Sequence, residues 1–272
     1  MQFSSLVSRP SFARKPLAVI LQRHTTMRKT ITIIIICLST LIFMFGQTSN
    51  NELKITQLTG DFYIFTTYKM FGTKKQSANG MYLVTDSGVV LFDSPWDTSP
   101  FQPLLDSIKL RHHKKVVVNI ATHSHEDRTS GIDFYRKNGI KTYTTKLTDE
   151  ISIENGRPRA EFLMKKDTLF VVGQYKFQTY FGGEGHTKDN IVVWFDNEKI
   201  LYGGCLVKSI EAKDLEYVGE ANIAEWSKTI KKIQKKFMNP QFIITGHHNW
   251  QSTKTLEHTL KLIEQHEKKN YR

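Results

Sequence analysis

The sequence predicts a mixed α/β chain with two sheets packed face to face and helices outside. Two observations carry that reading. Strand-rich stretches give way to helical ones twice, over residues 52–155 and 168–268. Four of the strands end in clusters of histidine, cysteine and glycine, as strands do where ligands gather at their carboxyl ends. Composition sets the bounds: 272 residues, 39% apolar, are enough for one sizeable core and short for two full domains. With 16 Gly, 7 Pro, 17 Phe and only 2 Cys, the chain is neither low-complexity, nor disordered, nor a disulfide scaffold.

The formal charge of +12 suggests nucleic acid until its distribution is read. Residues 1–50 hold Arg9, Arg14, Lys15, Arg23, Arg28 and Lys29 and no acid, so the remainder carries a modest +6. Met27-Arg28-Lys29 precedes an apolar run from Ile31 to Phe45, too short for a membrane span and followed by polar residues. This reads as a secretory signal peptide with its cleavage edge near Gly46, the alternative being an uncleaved membrane anchor. Residues 1–26 read as an upstream extension, with Met27 as the true start. The chain therefore divides into 1–46, extension and signal peptide, and 47–272, one domain exported to the periplasm. The mature form is expected to be a monomer bound to neither membrane nor nucleic acid. Its one cysteine, Cys205, needs either a task or deep burial in an oxidising compartment.

The elements follow in order. Lys54–Gln57, Phe62–Thr67, Met81–Thr85 and Val89–Phe92 are rich in β-branched and aromatic residues, with turn signals at Gly60-Asp61 and Asp86-Ser87-Gly88. Tyr68 to Ser77 lies between two of them and reads as a mobile flap. Phe101–Lys109 has helical spacing, Lys115–Ala121 is a buried strand, and Gly131–Lys137 and Leu147–Asn155 are helices. Strands follow at Thr168–Val172, Lys176–Tyr180, Ile191–Trp194 and Ile200–Tyr202. A long amphipathic helix covers Ile223–Phe237, the last strand Phe242–Thr245 and the last helix Thr253–Lys268.

The chemistry sits at the strand ends. One strand runs into His123-Ser124-His125-Glu126-Asp127, and alternate residues of an extended segment point the same way, so two imidazoles and a carboxylate share a side. The others run into Gly185-His186, Gly204-Cys205 and Gly246-His247. Each histidine alone would be an ordinary core or surface residue; six donors together are metal-ligand chemistry. Six exceed one tetrahedral zinc and suit two metals, each with an open position. Such a pair acidifies a shared water and polarises a carbonyl. Thr187, Asp189 and Asn190 either brace His186 or close a local turn. His248 and the pair His112-His113 read as surface residues.

At these residues the chain resembles the class B metallo-β-lactamases, in the subclass with a three-histidine site beside an Asp-Cys-His site, and most of all the chromosomal enzymes of flavobacteria. The likeness runs through residues 52–268, including Asn79-Gly80-Met81-Tyr82, Phe92-Asp93-Ser94-Pro95-Trp96, HSHEDR, GEGHTKDNIVVW, GGCLVKS and GHHNW. It implies a four-layer αββα sandwich and two zinc ions, one on His123, His125 and His186, the other on Asp127, Cys205 and His247. It implies that Asp93 stands behind the ligands, that Asp127 orients the attacking water, and that Lys208 binds the carboxylate of a β-lactam. Three positions depart from the family. Ser130-Gly131 replaces a common Gly-Gly, Tyr217 stands where relatives have an asparagine that helps polarise the lactam carbonyl, and Glu216 replaces a glycine in the same loop. Tyr217 either replaces that donor through its hydroxyl or leaves the task to the metal.

The expected activity is hydrolysis of the β-lactam amide of penicillins, cephalosporins and carbapenems, conferring antibiotic resistance. A thioesterase or lactonase on the same fold is the first rival, but these have a histidine after the motif aspartate and an aspartate bridging the metals, where this chain has Arg128 and Cys205. A secreted zinc-binding protein without catalysis is the second; an intact Asp127 and Lys208 count against it.

Overall fold

The computed structural model describes residues 52–270, so the leader read over 1–46 lies outside the described residues. Twelve strands form two sheets among them. The larger runs in simple chain order: β1 (Lys54–Thr59), β2 (Phe62–Phe71), β3 (Lys74–Thr85), β4 (Gly88–Phe92), β5 (Val116–Ile120), β6 (Lys141–Thr145) and β7 (Phe162–Met164). The smaller is ordered β12 (Phe242–Thr245), β11 (Ile200–Gly204), β10 (Val192–Phe195), β9 (Tyr175–Tyr180) and β8 (Leu169–Val172). β1 to β4 are antiparallel neighbours joined by tight turns. From β4 to β7 the pairing is parallel, which requires crossovers. These are α1 (Phe101–His112), the short pair α2 (Glu126–Thr129) and α3 (Ile132–Lys137), and α4 (Lys146–Glu154). In the second sheet α5 (Ile223–Lys236) makes the parallel crossover from β11 to β12, and α6 (Thr255–Asn270) closes the chain.

Why four layers form is visible in the alternation within single strands. Met81, Leu83, Val90 and Phe92 join Val193, Phe195 and Tyr202 in a core between the sheets. Their neighbours Tyr82, Val84, Val89 and Leu91 point the other way, onto Leu104 and Ile108 of α1 and Tyr135 of α3. In β10, Val192 and Trp194 likewise leave the central core to pack on Trp226, Ile230 and Ile233 of α5. These three recur at the i, i+4, i+7 spacing of one helix face, and burying each is worth about 1.5–3 kcal/mol. Strands covered on both faces read as continuous apolar runs. The fold is thus the αββα sandwich expected. No described helix is long and apolar enough to cross a membrane.

Several local expectations change. The segment read as a flap loop is strand almost throughout: β2 pairs with β3 from Phe62↔Leu83 to Phe71↔Lys74, leaving a turn at Gly72-Thr73. Tyr68 and Phe71 supply the strand propensity, and Phe71 rests on Trp96 with ring centroids 5.1 Å apart. β6 and β7 carry too little apolar alternation to have been read as strands. His112 is not a surface residue: it is half-buried, 3.1 Å from the Tyr82 hydroxyl and edge-on to Tyr63. His113, beside it, is exposed.

Candidate metal centre

The site lies where four strands of the two sheets end. Beyond β5 the chain is held at Thr122 by the carboxylate of Asp93, which accepts the Thr122 amide at 2.7 Å and its hydroxyl at 3.0 Å. His123 follows. Its ring, that of His125 and that of His186 lie edge to face, with centroids 4.8, 5.2 and 4.9 Å apart. His186 comes from the loop after β9, which α5 holds in place: Asn222 donates its amide to Gly185 O at 2.8 Å, and Thr229 its hydroxyl to Glu184 O at 2.6 Å. Asn190 closes the turn after His186 by accepting the Thr187 amide, whereas Asp189 reaches across to the amide of Ser124, between two of the ligands. So Asn190 serves the turn and Asp189 braces the neighbouring segment.

The second group is Asp127, Cys205 and His247. Cys205 Sγ lies 3.3 Å from Asp127 Oδ2 and 3.2 Å from His247 Nε2. His247 Nδ1 lies 2.6 Å from the Ser77 carbonyl, and as the acceptor is a carbonyl the ring donates there, leaving Nε2 free of its proton to ligate. The donor atoms of Asp127, Cys205 and His247 all fall within 4.8 Å of one another, as do those of His123, His125 and Asp127. All six candidate ligands are therefore brought together.

The fit to a metal can be judged from what these residues lack. His123 Nε2, His125 Nε2 and His186 Nδ1 are buried without a hydrogen-bond partner, an arrangement that costs stability unless something binds there. His125 Nε2 is 3.2 Å from Glu220 Oε2 but without hydrogen-bond geometry. Burial holds the imidazoles of His123 and His186 well below the usual histidine range, so both are neutral and ready to ligate. Imidazoles, one thiol and one carboxylate are the donor set that zinc takes.

Behind the ligands stands a residue to which sequence reasoning gave no role at the site. Arg128 is fully buried, and its guanidinium reaches Asp127 Oδ2 at 2.8 Å, Cys205 Sγ at 2.9 Å, Asn79 O at 2.6 Å and Gly246 O at 3.0 Å. Asp93, whose φ of +64° is unusual for a non-glycine residue, lies 3.4 Å from it and accepts the Tyr202 hydroxyl at 2.7 Å. Burial pushes the Asp93 carboxyl up to about 6 against the pull of Arg128 and these hydrogen bonds. Burial also opposes ionisation of Asp127, but the Arg128 charge and the neighbouring imidazoles together outweigh it and hold that carboxyl well below the usual range. For Cys205 burial wins and the thiol is pushed up. Gly246 admits this packing: a Cβ there would stand 2.7 Å from Cys205 Sγ and 2.8 Å from the guanidinium.

Above the ligands opens a groove of about 590 Å³. Phe71 and Trp96 form one wall, and Trp96 lies 5.5 Å from the His247 ring. Lys208 and Tyr217 line the other side. Lys208 is 3% exposed, and its ammonium is 3.0 Å from Glu216 Oε2. His248, expected at the surface, is half-buried and 2.7 Å from Glu216 Oε1. Tyr217 is exposed; its ring stands 5.6 Å from that of His125 and its hydroxyl packs at Gly219. Ser130, the residue that replaces a common glycine, donates its hydroxyl to Pro95 O at 2.8 Å.

Residues 76–265 match the model of the metallo-β-lactamase superfamily. The chain belongs to that family. It is 45% identical over 225 residues to a metallo-β-lactamase type 2 of Elizabethkingia meningoseptica, covering 83% of this chain and 90% of that one. It is also 45% identical to metallo-β-lactamase IND-1 of Chryseobacterium indologenes over 206 residues, 76% of this chain and 86% of that one. Among solved structures, the crystal structure of metallo-β-lactamase IND-7 superposes with a TM-score of 0.76 at 43% identity, covering 80% of this chain and all of that one. Metal binding follows from the family, and the buried, unpartnered imidazole nitrogens fit such a role.

Proposed function

We propose that this chain is a zinc-dependent β-lactamase that opens the amide ring of penicillins, cephalosporins and carbapenems and so confers antibiotic resistance. The observation that carries this reading is the convergence of six metal-ligating side chains under an open groove with a buried lysine beside them. In this reading one zinc ion is held by His123, His125 and His186 and a second by Asp127, Cys205 and His247. Zinc, when bound, supplies Lewis acidity toward a carbonyl oxygen and toward water.

The chain's own residues then divide the work. Asp127 Oδ2 is committed to Arg128, His247 and Cys205. Its Oδ1 takes no hydrogen bond from the described residues, which makes it the atom to orient the attacking water and accept its proton. Lys208 offers its ammonium to the substrate carboxylate, a charge-assisted contact that holds the ring in register. Phe71 and Trp96 cover the apolar part of the substrate and keep bulk water from the reacting bond. Tyr217, beside His125, is the candidate to donate to the lactam carbonyl. Because hydrolysis proceeds without a nucleophilic side chain, no covalent acyl-enzyme forms. The chain acts as a monomer in the periplasm, delivered by its leader, and binds no nucleic acid.

The test is steady-state hydrolysis of a panel of the three substrate classes, before and after chelation and on return of zinc, with elemental analysis of the active protein. The expected outcome is two zinc ions per chain and activity that vanishes on chelation and returns with zinc. Active protein free of metal would overturn it. A thioesterase or lactonase would leave the whole panel untouched.

A further inference from the structure

Glu216 combines a backbone position suited to glycine with a side chain that closes on the lysine of the groove. Its φ of +58° lies in the left-handed region, and the turn is held by its own amide donating to Asp214 Oδ1 at 2.8 Å. Glycine adopts this backbone more readily, so the geometry of the turn gives no reason for glutamate. What glutamate adds is a carboxylate. Its Oε2 takes the Lys208 ammonium at 3.0 Å, and its Oε1 accepts from His248 Nε2 at 2.7 Å and Gln76 Nε2 at 3.3 Å. Lys208 is almost wholly buried and has no other side-chain acceptor among the described residues. Burial alone would raise the Glu216 carboxyl, but the His248 hydrogen bond and the Lys208 charge hold it well below the usual range, so the pair is ionic.

We propose that Glu216 is a built-in competitor for the carboxylate anchor, occupying Lys208 in the free enzyme so that an anionic substrate has to displace it. The proposal rests on reading Lys208 as the group that binds the substrate carboxylate. Sharing is disfavoured: two carboxylates on one buried ammonium would bring like charges into close contact. Displacement is feasible because Glu216 sits on a surface loop and keeps a fifth of its side chain exposed. Glu216 is thereby a specificity-determining residue. It weakens the binding of anionic lactams and leaves neutral ones indifferent to Lys208. An intramolecular contact closed in about nine molecules of ten raises the apparent dissociation constant about tenfold.

The experiment compares zinc-loaded wild type with Glu216→Gln, Glu216→Gly and Lys208→Ala on benzylpenicillin and on its methyl ester, which lacks the charge. Glutamine keeps the length of the side chain, and glycine relaxes the backbone, so at least one variant folds. Both Glu216 variants are expected to lower KM for the acid by about 3- to 10-fold with kcat little changed, and to raise the acid-to-ester ratio of kcat/KM by the same factor. Zinc content, measured alongside, stays at the wild-type value. An acid-to-ester ratio that is unchanged, or that falls, in the Glu216 variants overturns the proposal; a fall would make Glu216 a support that positions Lys208. Lys208→Ala separates the two readings. If it abolishes the preference for the acid while the Glu216 variants do nothing, this proposal alone fails. If it leaves the preference intact, the carboxylate-anchor reading fails and takes the competitor with it.

Discussion

The floor of the groove and its lysine-bearing wall both carry opposite charges in contact, yet they are held in different ways. On the floor, Arg128 is buried to the last atom and meets Asp127, Cys205, two backbone carbonyls and, at longer range, Asp93. On the wall, Lys208 meets one carboxylate, that of Glu216, whose other partners are His248, half-buried in a loop, and Gln76 of β3. The floor is over-determined: each group is positioned by several others from different elements, so none can shift alone. On the wall the ammonium is held by a single carboxylate, a contact that a ligand can open. Ligand geometry is therefore fixed before anything binds, while recognition is left adjustable.

That contrast can be broken first at its strongest point. Arg128→Met removes a buried cation and strands the carboxylates and carbonyls around it, which costs about 3–5 kcal/mol; urea unfolding of the metal-free protein is the measurement, and a change below 1 kcal/mol, on the order of a surface pair, would show the floor to be no better braced than the wall. Cys205→Ser comes next. It keeps the size but loses the soft thiolate, so zinc content should fall from two ions toward one while the three-histidine group keeps its ion. The same contrast shows in pH. Burial pushes the Cys205 thiol up, so binding at the second group releases a proton and weakens as pH falls, whereas His123 and His186 already lack theirs. Zinc titrated against falling pH should therefore leave the cysteine group first; simultaneous loss would contradict the assignment.

The wall gives smaller effects. Lys208→Ala removes one charge-assisted contact worth about 1.5–3 kcal/mol, so kcat/KM on a carboxylate-bearing penicillin should fall about 10- to 150-fold at unchanged zinc content. The fall should sit near the lower end, because the lysine begins paired with Glu216. Smallest is Tyr217→Phe. It removes a hydroxyl at an exposed position, and a neutral hydrogen bond is worth about 0.5–1.5 kcal/mol, so kcat should drop by about tenfold or less. An unchanged kcat would assign the tyrosine ring, rather than its hydroxyl, to the groove.

By itself the sequence determined the layers and the donor set. The continuous apolar runs of β4, β5 and β10 announce strands covered on both faces, and the Trp226, Ile230, Ile233 spacing announces the helix that covers one of them. His123, His125 and Asp127 alternate in the sequence, and His186, Cys205 and His247 follow strand ends, so their convergence was legible from local pattern, although the segment does not stay extended: Asp127 lies in the first turn of α2, which begins at Glu126. Local pattern encodes burial and direction, but it does not encode partners. Arg128 follows a ligand in the chain, and nothing local marks it as buried; only the fold brings Asn79, Asp93, Cys205 and Gly246 around it, from segments up to 118 residues away. The same holds for Tyr82 with His112, and for Glu216 with Lys208 and His248. Charge pairing depends on distance in space, and a single sequence records only distance along the chain. The tertiary structure therefore decided which charges are spent on bracing the ligands and which stand free to meet a substrate.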